Sequence, residues 1–395
     1  MNHLLRNNIC QERFLACMVL LSVTFISPSI IIAQTTTQKS SGAKNERSLY
    51  LNNLQQVSRL TGIPLKGENF PSPNNTAENF DVGGTDLGIF WKMDSSRVGI
   101  FFGDTNGKGF VAEKGGGNGG NWRSNVLAFT RDSKLEDGLT IESMALDSAG
   151  AAREICAGAK SNPGKYQTSI PTAAIRAAGI DYVHYMNIYE WAGQNGRWLT
   201  NFSSIYASYD GGNTWTRKQE VTFKSDSKFS QVCYAKKDGF VFMIGTLAGR
   251  GSAAYLARFK EADMLKLNQY EYWNGKAKKW VKNHEEAATA IIEGPVGEAS
   301  LLYHEKYKRW IIAYSYDGAY EAVNKKMIHA LVYRDAKQLN SKWSDMKVLT
   351  TEKEYPGLYS PYFHPDANDS DTVYFTMSLW KPYNVFLMKA NIELH

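Results

Sequence analysis

Apolar residues along most of this chain fall in short runs separated by Gly, Asp, Asn and Ser. Such runs occupy residues 87–91, 98–102, 126–130, 182–189, 204–209, 239–245, 310–316, 372–377 and 384–389. They are rich in Val, Ile, Phe, Tyr and Trp, and short β-branched and aromatic runs bounded by turn residues predict strands. Helical spacing is confined to residues 55–60 and 261–266. The pattern predicts an all-β protein, built as a sandwich, a barrel or a propeller.

Three features select the propeller. Ser208-Tyr209-Asp210-Gly211-Gly212-Asn213-Thr214-Trp215 fits the Asp-box pattern S-x-D-x-G-x-T-W, a structural turn between the outer strands of propeller blades. Aromatic-rich strand pairs around Gly103, Tyr182, Phe240, Trp310 and Tyr374 recur at roughly 60 residues, near a blade length plus insertions. The last apolar run ends close to the C-terminus, where terminal strands would close a ring. Five blades are expected.

The first pair of runs carries candidate chemistry. Residues 87–91 and 98–102 flank the polar stretch Met93-Asp94-Ser95-Ser96-Arg97, the pattern of a β-hairpin. A turn centred near Ser95 makes facing residue numbers sum to about 190, which sets Asp86 against Asp104. Like charges so placed destabilise a strand pair, at Cβ separations of ~4.5–5.5 Å. Two carboxylates ~5–5.5 Å apart are what a retaining glycosidase uses as nucleophile and acid/base. The competing reading is ordinary turn chemistry at Asp104-Thr105-Asn106-Gly107, and a register slip of one residue would separate the pair.

Composition narrows the class. Residues 1–33 read as an export signal: Arg6 and Arg13 precede an apolar stretch, and Ala33 offers a cleavage point. Residues 34–50 read as a flexible tether, 51–80 as a lead-in and 81–395 as the propeller domain. The expected location is the periplasm, the cell surface or the medium, with no membrane span in the mature chain. Removing the leader takes away Cys10 and Cys17 and leaves Cys156 and Cys233, which pair or lie buried as thiols. Zinc-ligand spacing is absent, so no metal or other cofactor is expected. The net charge of +6 is spread rather than clustered, which argues against nucleic acid as partner. The 10 Trp and 22 Tyr supply core packing and candidate sugar-stacking faces. A monomer is expected.

A set of ordered motifs sharpens this reading. They are Gly84-Thr85-Asp86-Leu87-Gly88, Phe102-Gly103-Asp104-Thr105, Trp122-Arg123-Ser124-Asn125-Val126-Leu127-Ala128, Gly245-Thr246 with Gly249-Arg250-Gly251, and Gly294-Pro295-Val296-Gly297-Glu298-Ala299-Ser300. Tyr359-Ser360-Pro361-Tyr362 and Ser378-Leu379-Trp380-Lys381-Pro382-Tyr383-Asn384-Val385 follow. Together they resemble glycoside hydrolase family 183, the endo-D-arabinanases, from about Asp81 to the C-terminus. The resemblance implies a five-bladed propeller that cleaves internal α-D-arabinofuranosidic bonds of arabinogalactan or lipoarabinomannan with retention. It sets the two catalytic aspartates on Asp86 and Asp104, the pair the hairpin pattern brings together. Asp86 is expected as nucleophile and Asp104 as acid/base.

Further candidates surround the pair. Arg123 would hold the nucleophile ionised, or form a structural ion pair. Asn125 would donate to a sugar hydroxyl, or clasp a turn. Asp81 would tune the pair or begin the strand, and Glu298 would line the cleft or replace one aspartate. His184, Arg250, Tyr359, Trp380 and Tyr383 are expected as substrate contacts. The glycine run 115–120 lacks the Lys-Ser/Thr of a phosphate loop and is expected as a mobile loop beside the cleft. The alternatives are a non-catalytic glycan-binding propeller and a five-bladed glycosidase acting on L-arabinan or another furanoside.

Overall fold

The computed structural model describes residues 47–69, 71–158, 167–191, 196–321 and 326–395. The leader expected at 1–33, with Cys10 and Cys17, and most of the tether expected at 34–50 lie outside the described residues. The remainder is a five-bladed β-propeller. Blade 1 contains Leu87–Lys92, Val98–Phe102, Val126–Thr130 and Ser143–Met144. Blade 2 contains Thr168–Ala177, Ile180–Glu190, Leu199–Ser208 and Thr216–Lys224. Blade 3 is extended: Gln231–Lys237, Phe240–Thr246, Ser252–Lys260, Glu271–Asn274 and Lys279–Lys282 run in order, and Ala290–Val296 adds to Ser252–Lys260. Blade 4 contains Ala299–His304, Arg309–Glu321, Lys326–Ala336 and Lys347–Thr351. Each of the five aromatic-rich segments marked in the sequence falls in its own blade.

Blade 5 closes the ring. Leu358–Phe363, Thr372–Leu379 and Asn384–Leu394 pair in order, and Leu49–Arg59 adds outside Asn384–Leu394 as an antiparallel fourth strand. Residues 55–59, expected to have helical spacing, belong to this strand, which places Leu49–Arg59 within the propeller ahead of the boundary expected at residue 81. The strand escapes detection because two register shifts, between Asn52 and Gln55 and between Gln56 and Ser58, break its alternation. The other helical segment, at 261–266, holds only a 3₁₀ turn, Glu261–Asp263.

The first strands of the five blades touch one another in a closed ring around the axis. Between neighbouring blades lies a separate apolar core. Phe101, Leu127, Tyr185 and Ile188 join blades 1 and 2, and Phe223, Phe229, Met243 and Phe259 join blades 2 and 3. Ile244 and Trp310 join blades 3 and 4, Leu331 and Phe375 join 4 and 5, and Val385 and Phe102 join 5 and 1. Each wedge removes large side chains from water at ~1.5–3 kcal/mol apiece, so ring closure is itself a hydrophobic event. The Asp-box turn is structural as expected. Asp210 accepts from the Ser208 hydroxyl (2.8 Å) and the Thr214 amide (2.9 Å), and Trp215 packs edge-on against Phe101. Cys156 and Cys233 are buried free thiols, which settles the question of a disulfide against pairing.

Candidate active site

A cavity of about 720 Å³ lies over the beginnings of the inner strands. Asp86 and Leu87, Ile170 and Thr172, Gln231, Glu298, and Leu358 and Tyr359 reach it from blades 1 to 5 in turn. Asp104, Asn106 and Trp122 reach it from the loops of blade 1, Trp191 and Trp198 from blade 2, Arg250 from blade 3, and Trp380 and Tyr383 from blade 5.

The hairpin that carries the aspartates obeys the expected register over most of its length. Ile89 faces Phe101 and Lys92 faces Val98, both pairs summing to 190. A bulge at Gly88 (φ +87°) then shifts the pairing by one, so Leu87 faces Phe102 and the Asp86 carbonyl accepts the Gly103 amide at 3.1 Å. Asp86 therefore lies across from Gly103, and its carboxyl leans over that glycine's Cα. A Cβ there would sit 2.3 Å from Asp86 Oδ1, so only glycine fits. Leu87 (φ +72°), Ser360 (φ +56°) and Tyr383 (φ +63°) hold left-handed backbone beside the cavity. Such strain gathers where a fold sacrifices local comfort to aim side chains.

The two carboxyls live in different surroundings. Asp104 Oδ1 accepts from Trp122 Nε1 (2.9 Å) and Thr168 Oγ1 (2.7 Å), an arrangement that stabilises negative charge. Asp86 Oδ2 accepts from the Tyr359 hydroxyl at 3.0 Å, while its Oδ1 is buried without a partner. Burial, followed by the charge of Asp104, pushes Asp86 up to about 8, although Tyr359 pulls the other way. Below that pH Asp86 holds its proton. Sequence reasoning expected Asp86 to be the ionised member, whereas burial and the neighbouring Asp104 charge favour its protonated form.

Four other expected residues line the same cavity. Glu298 is gripped by Arg250, through Nε to Oε2 at 2.9 Å and Nη2 to Oε1 at 2.8 Å. Arg250 also lies 3.6 Å from Asp317, whose Oδ1 is 2.7 Å from His329 Nδ1 at the cavity edge. The carboxylates around Arg250 hold its pKa above the ordinary guanidinium range, so it is a fixed cation on this wall. The Tyr383 hydroxyl donates to the Asp104 carbonyl at 3.1 Å, and Trp380 projects beside it, 58% exposed. The glycine run lies beside the cleft: Gly117 lines it, and the Gly116 amide donates to the Trp380 carbonyl at 2.7 Å.

Four expected residues lie elsewhere. His184 is buried between Tyr234 Oη (3.1 Å) and the Ser230 carbonyl (3.2 Å), and burial lowers it to about 3, so it stays neutral in the core. Asn125 spends its amide inside the fold, donating to the Cys156 and Ser169 carbonyls and accepting from the Ile155 and Cys156 amides. Arg123 clamps Asp81 through its carboxylate (3.3 Å) and its carbonyl (2.6 Å), and neither residue lines the cavity. For Arg123 and Asn125 the structural alternative is the observed one. Sequence reasoning missed Asn106, Trp122, Trp191, Trp198, Gln231 and His329. Trp122 carried a signal, since it opens the Trp122-Arg123-Ser124-Asn125 motif; Asn106 read only as part of a turn after Asp104, and the others belong to no recognisable pattern.

Fold and site together define a class: a five-bladed propeller with two unlike carboxyls in a tryptophan-lined cavity at the mouths of its inner strands. Residues 71–389 match the family described as "Domain of unknown function (DUF4185)", and the chain belongs to that family. It is similar to Notoamide biosynthesis cluster protein J of Aspergillus sp. (strain MF297-2), 25% identical over 323 residues, 77% of this chain and 82% of that protein. Among solved structures, a candidate hydrolase of Bacteroides ovatus superposes with a TM-score of 0.54 at 10% identity, covering 79% of this chain and 86% of that one. An exo-β-1,3-galactanase of Phanerochaete chrysosporium gives 0.48 at 9% identity, over 87% and 64%. At such identities the likeness is one of fold.

Proposed function

We propose that this protein is an endo-acting glycoside hydrolase that cleaves internal α-D-arabinofuranosidic bonds of D-arabinan. The observation that carries the reading is the pair Asp86 and Asp104 in one cavity, Asp86 buried with one unpaired oxygen and Asp104 held by two donors on Oδ1. Glycosidic cleavage needs a proton for the leaving oxygen and a carboxylate for the anomeric carbon. Asp86 is the acid in this scheme. Its proton passes to the leaving oxygen, and Asp104 attacks to form a glycosyl-enzyme. Water, deprotonated by Asp86, then releases the sugar. This reverses the roles expected from the sequence.

The choice of D-arabinan rests on the ordered motifs that resemble the endo-D-arabinanases. Those motifs supply Asp86, Asp104, Arg250, Glu298, Tyr359, Trp380 and Tyr383 to the cavity. A polymer substrate agrees with a leader-like pattern at residues 1–33, which would deliver the enzyme outside the cytoplasm. Reducing ends released from purified mycobacterial-type D-arabinan, with plant L-arabinan in parallel, test the assignment. Release from D-arabinan alone is expected; release from L-arabinan alone would transfer the site to the plant polymer.

A further inference from the structure

The cavity wall of blades 2 and 3 contains groups that the reaction does not use. Gln231, the first residue of its strand, is 4% exposed and faces the cavity. Its Oε1 accepts the Gly249 amide at 3.1 Å, which fixes the amide's orientation and leaves Nε2 buried without an acceptor. An unpaired buried donor is unfavourable, and a ligand hydroxyl would satisfy it.

Beside it stand two tryptophans. Trp198 is laced to blade 3, its amide donating to the Ala248 carbonyl at 3.2 Å, and the Arg250 guanidinium lies 5.8 Å from its ring. Trp191 packs edge-on against Trp198 at 5.0 Å and 77°, and is 41% exposed. Two indoles held nearly at right angles line the same cavity, and an indole face is the kind of surface on which the apolar face of a sugar ring rests.

We propose that Gln231, Trp191 and Trp198 form a separate sugar-binding subsite, which holds a pentose ring of the glycan chain remote from the bond being cut. The tryptophans stack the ring, and Gln231 Nε2 donates to one of its hydroxyls. The site deepens the proposed function and rests on it for the identity of the sugar. It would make the enzyme depend on chain length, because a short substrate spanning the aspartates alone leaves Gln231 unpaired.

The test compares Gln231→Leu and Trp191→Ala on α-D-arabinofuranosyl disaccharide and hexasaccharide. Thermal melts check the fold, and Trp191→Ala at the exposed rim guards against a misfolded Gln231 variant. The expected result is a loss in kcat/KM of about tenfold on the hexasaccharide, carried by KM, with a clearly smaller loss on the disaccharide. Equal losses at both lengths, or none, would overturn the subsite while hydrolysis by the wild type upholds the function. Calorimetric binding of the hexasaccharide to Asp86→Asn/Asp104→Asn protein separates the remaining cases. If the wild type hydrolyses nothing but Gln231→Leu weakens binding, the subsite stands and the hydrolase reading fails. Absence of both hydrolysis and binding overturns the two together.

Discussion

Asp86, the acid of the proposed reaction, also carries a stability cost. Its native carboxyl titrates at about 8, against ~3.9 in an unfolded chain. Between those values the native state holds a proton that the unfolded state has lost, so stability falls as pH rises through that window. Asn cannot ionise. The Tm advantage of Asp86→Asn over wild type should therefore be absent below about pH 4, grow up to about pH 8 and then level off; melts at three pH values measure it. Activity moves in the same window, since kcat/KM needs protonated Asp86 and should fall as pH rises through about 8. Tyr359→Phe removes the hydrogen bond that favours the ionised form. Its alkaline limb should lie at higher pH than that of wild type; an unmoved or lowered limb would remove Asp86 as the acid. Charged residues in marked motifs were legible in the sequence, but their partners were not. Arg123 and Asn125 sit in the same motif as Trp122, and nothing in their order shows that the tryptophan faces the cavity while the other two clasp the fold.

The first hairpin translates sequence into geometry. Alternation and turn residues gave its register to within one position, and the shift came at Gly88, where two successive left-handed residues cannot be read from polarity. The bulge turns Asp86 over Gly103. Gly103→Ala would drive a Cβ into Asp86 Oδ1, and kcat should fall by about 100-fold or more through this misplacement. Asn125 belongs to the element scale as well, because its four hydrogen bonds tie the start of Val126–Thr130 to the 155–156 turn and to blade 2. Asn125→Ala should cost about 2–4 kcal/mol, judged by the groups it leaves unpaired, and lower Tm, while protein that remains folded keeps its specific activity.

At the scale of the molecule, the five-fold recurrence of aromatic strand pairs was visible because each wedge between blades needs its own apolar core. Ring closure was half visible. The C-terminal run reads as a strand, whereas its partner Leu49–Arg59 is polar, twice bulged and placed before the first blade. The cavity was legible only through residues in recognisable motifs, because its other walls are brought together by closure of the ring from positions as distant as Gln231 and His329. The proposed activity of the closed ring is hydrolysis of D-arabinan. The most direct measurement is product sizing over time from purified D-arabinan, with wild type beside Asp86→Asn/Asp104→Asn protein. A ladder of short oligosaccharides is expected from the earliest times with wild type and none with the double variant. An uncut polymer with wild type, or the same ladder from both proteins, would contradict it.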